Sequence, residues 1–299
     1  MERKQLLPIL QETGCRVREQ EPLSAHTTFR IGGAADFLVT ADTVEQAAAV
    51  RRICCETDTP FMMLGNGSNL LVSDDGVRGV MLRMAPGEIA IDDATVTVSA
   101  GVQLAKLCTA VCEAGLSGLE FAFGIPGTVG GGVYMNAGAY GGQLSDVIRS
   151  VTAILPNGEV AVLPCDELEL GYRHSVFMEN EAIIVSAELQ LTHGEPTAIR
   201  EAMAEFLARR RDKQPLEYPS AGSFFKRPEG YFAGALIEQC GLKGFAVGGA
   251  QVSEKHAGFV INRGGATCAD VMALCKAVQE KVKERFGVQL EREVQFVGG

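Results

Sequence analysis

Apolar and polar residues alternate over Thr95–Ser99. The same period of two recurs near the end of the chain, where Val288, Leu290, Val294 and Phe296 fall on one face and Gln289, Glu291, Glu293 and Gln295 on the other. Such alternation predicts strands with one buried side, over 95–99 and 288–297. A helical period appears after Gly101, where Leu104, Leu107, Cys108, Val111 and Cys112 recur at the spacing of an amphipathic helix. Asp42 with Glu45 three residues on predicts a capped helix start; Val44, Ala47, Ala48 and Cys54 then face a core, and Pro60 is the stop. Short apolar runs predict strands over 37–40, 61–64, 70–72, 80–83, 89–91, 183–191 and 258–261, and a hairpin of 150–155 with 159–163 over Pro156-Asn157-Gly158. Helices are expected over 197–211, 232–240 and 269–286, and the first residues read as a short helix and an extended lead-in. The order is neither strict β-α-β alternation nor all-β, which predicts segregated α+β domains.

Composition narrows the class. A chain of 299 residues, 46% hydrophobic, can bury two or three cores. Its net charge of −10, with no basic run beyond Arg209-Arg210-Arg211, argues against a nucleic-acid partner held by bulk charge. The apolar run at 6–10 is too short for a signal peptide, and no stretch reaches membrane-spanning length, so a cytoplasmic protein without a membrane partner is expected. The nine cysteines contain no Cys-x-x-Cys pair and only four histidines accompany them, so no metal site is expected and most cysteines read as small buried apolar residues.

The chain is organised around residues 120–142. Eight of these are glycine and Pro126 fixes a corner, while Phe121, Phe123, Ile125, Val129, Val133 and Met135 argue against a flexible linker. A helix or strand interior loses stability at each glycine, so this stretch is expected to be a loop that lets backbone approach a ligand closely. A second cradle candidate is Gly65-Asn66-Gly67-Ser68-Asn69, between two short apolar runs. Glycines with short polar side chains suit an anion, but Asn-Gly is equally the commonest hairpin turn, and both readings stand. The sequence has no Gly-x-Gly-x-x-Gly between strand and helix, no Gly-Lys-Ser/Thr after a glycine loop and no Gly-x-Ser-x-Gly, which sets aside the usual dinucleotide fold, the P-loop and the hydrolase elbow. Two cradles suit a long ligand with a pyrophosphate, such as FAD.

Taken together, the motifs carry a resemblance. Gly65-Asn66-Gly67-Ser68-Asn69 is followed by Gly124-Ile125-Pro126-Gly127-Thr128-Val129-Gly130-Gly131, Asn136-Ala137-Gly138-Ala139-Tyr140 and Tyr172-Arg173-His174-Ser175. Gly222-Ser223-Phe224-Phe225-Lys226, Gly248-Gly249-Ala250 with Lys255-His256-Ala257-Gly258-Phe259, and Leu290-Glu291-Arg292-Glu293-Val294 complete the set. In this order and spacing the chain resembles the UDP-N-acetylenolpyruvoylglucosamine reductase family, which acts in bacterial peptidoglycan precursor synthesis. The resemblance implies an α+β fold: a two-subdomain FAD-binding region of the vanillyl-alcohol oxidase and p-cresol methylhydroxylase type, then a C-terminal α+β substrate domain. The expected division is a lead-in at 1–22, an FAD-binding domain at 23–195 and a substrate domain at 196–299. The short span between Gly222 and Gly248 resembles the shorter type, without the inserted tyrosine-bearing segment.

By that resemblance the chain uses NADPH and non-covalent FAD to reduce the enolpyruvyl ether of a UDP-sugar, as a monomer or weak oligomer. Another FAD-dependent oxidoreductase of the same fold is the alternative. FAD is expected at Gly65, Asn66, Gly67, Ser68 and Asn69, at Gly124, Pro126, Gly127, Thr128, Gly130 and Gly131, and at Asn136, Ala137 and Gly138. From the residues alone Ser223 reads first as a turn or cap after Gly222; the resemblance reverses this and matches it to a proton donor. Arg173 matches the residue that stabilises the enolate carboxylate, a task suited to a planar guanidinium. Glu293 matches the acid–base or electrostatic partner, whereas the alternation alone leaves Glu291 as good a candidate. Tyr172, Lys213 and Lys226 match substrate-binding positions. Arg227 departs from the asparagine of many relatives, and Lys255 and His256 carry no assigned role.

Overall fold

A computed structural model describes residues 3–299, so Met1 and Glu2 of the lead-in lie outside the described residues. The chain forms two compact units, with several crossings between them. One comprises 1–19, 37–66 and 79–209; the other comprises 20–36, 67–78 and 210–299.

The first unit is built on two larger sheets. A four-stranded sheet runs in the order Arg16–Pro22, Ala34–Ala41, Val77–Met84, Phe61–Met63, the last two parallel. Helices α1 (Arg3–Glu12) and α2 (Val44–Glu56) contribute Leu6, Leu10, Ala47, Val50 and Cys54 to a core with Phe37, Val39, Val80 and Leu82. A five-stranded sheet runs Val160–Pro164, Ile148–Ile154, Ile183–Gln190, Thr95–Ser99, Ile89–Asp92, antiparallel throughout. Helix α3 (Leu104–Glu113) buries the predicted face, Leu104, Leu107, Cys108, Val111 and Cys112.

Two local expectations are corrected here. The cap of α2 is Thr43 with Gln46, not Asp42 with Glu45: Thr43 Oγ1 accepts the Gln46 N–H, and Gln46 Oε1 accepts from the N–H groups of Asp42 and Thr43. The Asp42 carboxylate is drawn instead to Arg16, at 2.9 Å. The glycine-rich centre is not wholly a loop. Val129–Tyr134 (α4) is helical through three consecutive glycines, capped by Thr128, whose Oγ1 accepts the Gly131 N–H at 3.2 Å. Close packing explains the glycines: a Cβ on Gly130 would lie 2.9 Å from Ala100 Cβ, and one on Gly132 2.9 Å from Leu144 Cδ1.

The second unit is built on an antiparallel sheet in the order Ser220–Ser223, Phe259–Asn262, Ala250–Val252, Ala246–Val247. Helix α5 (Pro196–Lys213) ends the first unit and begins this one; α6 (Ala233–Gln239) and α7 (Cys268–Phe286) cover the sheet. The span between Gly222 and Gly248 therefore holds a single short helix. Capping at α7 is complete: Thr267 and Asp270 form a capping box, and Gly287 ends the helix at φ +70°. The core joins Phe224, Ile237, Val271, Leu274 and Val278 to Phe29, Ile31 and Leu71 from far earlier in the sequence.

The predicted last strand is shorter than its alternation suggests. Only Gln295–Val297 is extended, pairing parallel with Leu70–Val72. Phe296 is exposed and Val297 buried, the reverse of the expected face. Upstream, the segment is held at separate points: Lys226 N–H donates to Glu291 O at 2.8 Å, Glu293 N–H to Phe224 O at 2.9 Å, and Gln279 Nε2 to Leu290 O at 2.7 Å.

Candidate active site

The Gly65–Asn69 turn is not a hairpin. The strand before it pairs with Val77–Met84 and the strand after it with Gln295–Val297, so the turn joins two different sheets. Within the first unit its start meets the glycine-rich centre. Asn66 Nδ2 donates to Pro126 O at 2.7 Å. A Cβ on Gly65 would stand 2.9 Å from Thr128 Oγ1 and 3.9 Å from Gly131 Cα. Gly65 and Asn66, the start of one predicted cradle, thus lie beside the other.

Whether they suit FAD is tested by what occupies the space around each glycine. Several glycines are required by the chain itself: Gly67, at φ +60°, would drive a Cβ to 2.2 Å from His26 O. Gly131 differs, being exposed, with only Thr128 Oγ1 at 3.4 Å from its absent Cβ. The N–H groups of Val129, Gly130, Gly131 and Gly132 are engaged by Val102 O, Ala100 O, Thr128 Oγ1 and Thr128 O. These four N–H groups are thus already engaged within the chain, and what the stretch offers is room rather than donors for an anion. The space at Gly131 fits the close approach of a flat ring.

A second cluster in this unit joins Asn136, Gly138 and the 171–175 loop. Asn136 is buried at φ +39°; its Nδ2 donates to Gly171 O at 3.0 Å and its Oδ1 accepts the Ser145 N–H at 2.9 Å. Its side chain is sealed inside the protein, so it fixes backbone. Arg173 has φ +55°, uncommon for a side-chain-bearing residue, and its Nη2 donates to Gly138 O at 3.1 Å. The guanidinium also lies 5.2 Å from the ring centre of Tyr172, which is exposed. Buried Ser175 ties the loop down through Tyr134 O at 2.7 Å.

In the second unit Ser223 ends its strand opposite Phe259, exposed, after Gly222 at φ +80°. The chain at 291–293 runs beside it through the Phe225–Arg292 bridge and the Glu293 N–H bond to Phe224 O at 2.9 Å. Asn69 Nδ2 donates to Glu293 O at 3.1 Å, bringing the far end of the first cradle to this segment. The two glutamates now differ: Glu291 is exposed and 3.5 Å from Lys226 Nζ, whereas Glu293 is half-buried next to Phe224. Lys213, the last residue of α5, is exposed; Arg227 lies 4.1 Å over the Phe232 ring; Lys255 Nζ donates to Arg211 O at 2.7 Å. Sequence reasoning missed Asp74, whose carboxylate oxygens accept the N–H groups of Cys268 and Ala269 at 2.8 and 3.0 Å. Nothing local to Asp74 signals a helix almost two hundred residues away. Among the described residues no group of three or more His, Cys, Asp or Glu is placed to hold a metal.

The glycine architecture and the fold define an FAD-binding protein. Residues 35–163 match the family described as FAD binding domain, and BBE-like 1 of Physcomitrella patens shares the fold at TM-score 0.50 and 21% identity, over 64% of this chain and 45% of that one. The rest of the chain specifies which: residues 214–297 match the C-terminal domain of UDP-N-acetylenolpyruvoylglucosamine reductase. The reductase of Syntrophomonas wolfei is 48% identical over 285 residues, 95% of each chain, and that of Agathobacter rectalis 49% identical over 296 residues, 94% of this chain and 93% of its own. The crystal structure of the Thermus caldophilus reductase superposes at TM-score 0.82 with 38% identity, covering 95% of this chain and 99% of that one. The chain belongs to the UDP-N-acetylenolpyruvoylglucosamine reductase family.

Proposed function

We propose that Ser223, Glu293 and Arg173 carry the chemistry of the family reaction in this chain. That reaction is the flavin-dependent reduction of UDP-N-acetylglucosamine enolpyruvate to UDP-N-acetylmuramate in peptidoglycan synthesis. FAD, when bound, relays hydride from NADPH to the enolpyruvyl group. The chain must then leave room for the flavin, hold a carboxylate and deliver one proton to carbon.

Flavin binding is assigned to Gly65, Asn66, Gly67, Ser68 and Asn69, to Gly124, Pro126, Gly127, Thr128, Gly130 and Gly131, and to Asn136, Ala137 and Gly138. The observation that supports this is the space at exposed Gly131, where only Thr128 Oγ1, at 3.4 Å, stands near an added Cβ. Asn136 acts through the backbone it fixes. Arg173 pairs with the substrate carboxylate, where a permanently charged fork stabilises the enolate form. Its strained backbone and the Gly138 contact support a held guanidinium.

Ser223 donates the proton to C2. A hydroxyl is a weak acid, but the acceptor is a developing carbanion, and weak acidity guards against protonation of the wrong partner. Its exposure at a strand end leaves it open to substrate. Glu293 favours the proton's transfer electrostatically, supported by its half-burial beside Phe224. Tyr172, Lys213 and Lys226 contact the sugar nucleotide. Residues 23–195 form the flavin domain by role and 196–299 the substrate domain. We place the enzyme in the cytoplasm, as a monomer or weak oligomer; among the described residues all nine cysteines are free and no helix is long and apolar enough to cross a membrane.

An anaerobic spectrum tests this. NADPH should bleach the flavin band, and the enolpyruvyl sugar nucleotide should restore it. Ser223→Ala should bleach normally and fail to recover; recovery at the wild-type rate would remove Ser223 from the proton-transfer step.

A further inference from the structure

His256 stands on a tight turn behind the Ser223 strand. Buried Ser253 accepts the backbone N–H groups of Lys255 and His256 at 3.1 and 3.2 Å, and Phe259 N–H donates to His256 O at 2.9 Å. Gly258 N–H lies 3.1 Å from His256 Nδ1. A backbone N–H only donates, so Nδ1 must be the unprotonated nitrogen, and the neutral ring carries its proton on Nε2. The imidazole meets Phe259 edge-on at 5.0 Å, and glycines leave it space: a Cβ would lie 3.0 Å from its Cε1 at Gly258 and 3.4 Å from it at Gly234.

The same Gly258 peptide holds the strand. Its carbonyl accepts the Phe224 N–H at 2.8 Å, and Ser223 faces Phe259 in register. The pairing of this strand is irregular between Ser220 and Ser223, so this end is not held by a continuous ladder. We propose that His256 is a positioning residue for the Ser223 hydroxyl, fixing the Gly258 peptide, and through it Phe224, by the lone pair of Nδ1. The catalytic half of this rests on the reading of Ser223 as proton donor.

The charges around the ring favour the working form. Burial holds the His256 pKa below its ordinary value, against a backbone hydrogen bond that raises it; the ammonium groups of Lys243 and Lys213 also lower it, against Glu238, which is 2.6 Å from Lys243. Lys255 is turned to Arg211 O. A proton on Nδ1 would remove the acceptor and set two donors against each other.

The test follows recovery of the flavin band in the holoenzyme, reduced by NADPH and then given the enolpyruvyl sugar nucleotide, between about pH 5 and pH 8. Wild type should lose rate on the acid side, at a pH below the ordinary histidine value. His256→Asn, whose Oδ1 can accept from Gly258 without titrating, should recover most of the rate and lose that acid limb. His256→Ala should slow recovery about five-fold across the range, the loss of one hydrogen bond, with bleaching unchanged. Hydrogen exchange at the Phe224 amide should quicken in His256→Ala and not in His256→Asn, whatever Ser223 does. Unchanged Phe224 exchange in His256→Ala, or an acid limb that persists in His256→Asn, overturns the proposal. If Ser223→Ala recovers at the wild-type rate while Phe224 exchange responds as stated, the proton-donor reading falls and the positioning of the strand stands.

Discussion

Asn69 donates its side-chain amide to the backbone carbonyl of Glu293 at 3.1 Å, while its own carbonyl accepts the Gln295 N–H at 2.9 Å. One residue of the first cradle thereby fixes the backbone that carries the proposed electrostatic partner. Asn69→Ala should slow substrate-dependent flavin recovery by about five-fold, the worth of about one hydrogen bond. Asn69→Asp should be worse than alanine, because a carboxylate would face a carbonyl with no proton to offer. Stopped-flow recovery rates check the order Asn, Ala, Asp; equal rates for all three would detach Asn69 from the chemistry.

Gly131 separates ligand space from folding. Alanine there meets only Thr128 Oγ1, at 3.4 Å, and lies in α4, where alanine is favoured over glycine by about 1 kcal/mol. Gly131→Ala should leave the melting temperature of the flavin-free protein unchanged or raised, and weaken FAD binding. Gly65→Ala, at 2.9 Å from Thr128 Oγ1, should lower both. Flavin titration and a thermal melt of each apoprotein decide this.

Asp74 caps α7 with both carboxylate oxygens. Asp74→Ala should destabilise the protein by about 1–2 kcal/mol, the usual worth of a charged N-terminal cap. The Cys268 thiol, pushed up to about 11 by burial and then by Asp74, should alkylate faster in the variant. Urea unfolding and thiol labelling measure the two effects.

Asp270 gives a pH dependence. The backbone N–H groups of Thr267 and Gly249 hold its carboxyl below the ordinary aspartate value. A depressed folded pKa means the stabilisation is fully present above the unfolded value and is lost as pH falls through the folded one. Melting temperature should therefore drop on the acid side of about pH 4, less steeply in Asp270→Asn. An unchanged slope in that variant would assign the acid limb elsewhere.

Two adjacent cysteines should behave oppositely. Cys54 is buried and its thiol is pushed up to about 12 by burial, whereas Cys55 is exposed. Limited alkylation of the native protein, read by peptide mass, should modify Cys55 and spare Cys54 until unfolding.

How far the sequence foretold this structure depends on the range of each signal. Helix α3 was legible because Leu104, Leu107, Cys108, Val111 and Cys112 state their period within one short window, and all five are buried. The cap of α2 was displaced by one residue because Asp42 has a partner, Arg16, that lies 26 positions away. The helix through Gly130, Gly131 and Gly132 was read as loop because glycine propensity is local, while the atoms that require small residues there, on Ala100 and Leu144, are not. Alternation left Glu291 and Glu293 equivalent; they separate only where Lys226 takes one and Phe224 backs the other. Asn136 illustrates the limit for site residues, since its motif does not reveal that its side chain is buried and turned to Gly171 and Ser145.

The way the second unit is assembled has a consequence for how the protein is made. Phe29, Ile31 and Leu71 belong to the same core as Phe224, Leu274 and Val278. On the ribosome these three emerge long before their partners, by on the order of ten seconds at ordinary elongation rates. Until 210–299 is synthesised they have no core of their own to enter. The nascent chain must therefore carry them as a bare apolar surface, open to chaperones or to other nascent chains. A polypeptide stopped near Arg209 would keep that surface for good, and shortening this chain to its flavin-binding part is a route to aggregation rather than to a smaller soluble protein.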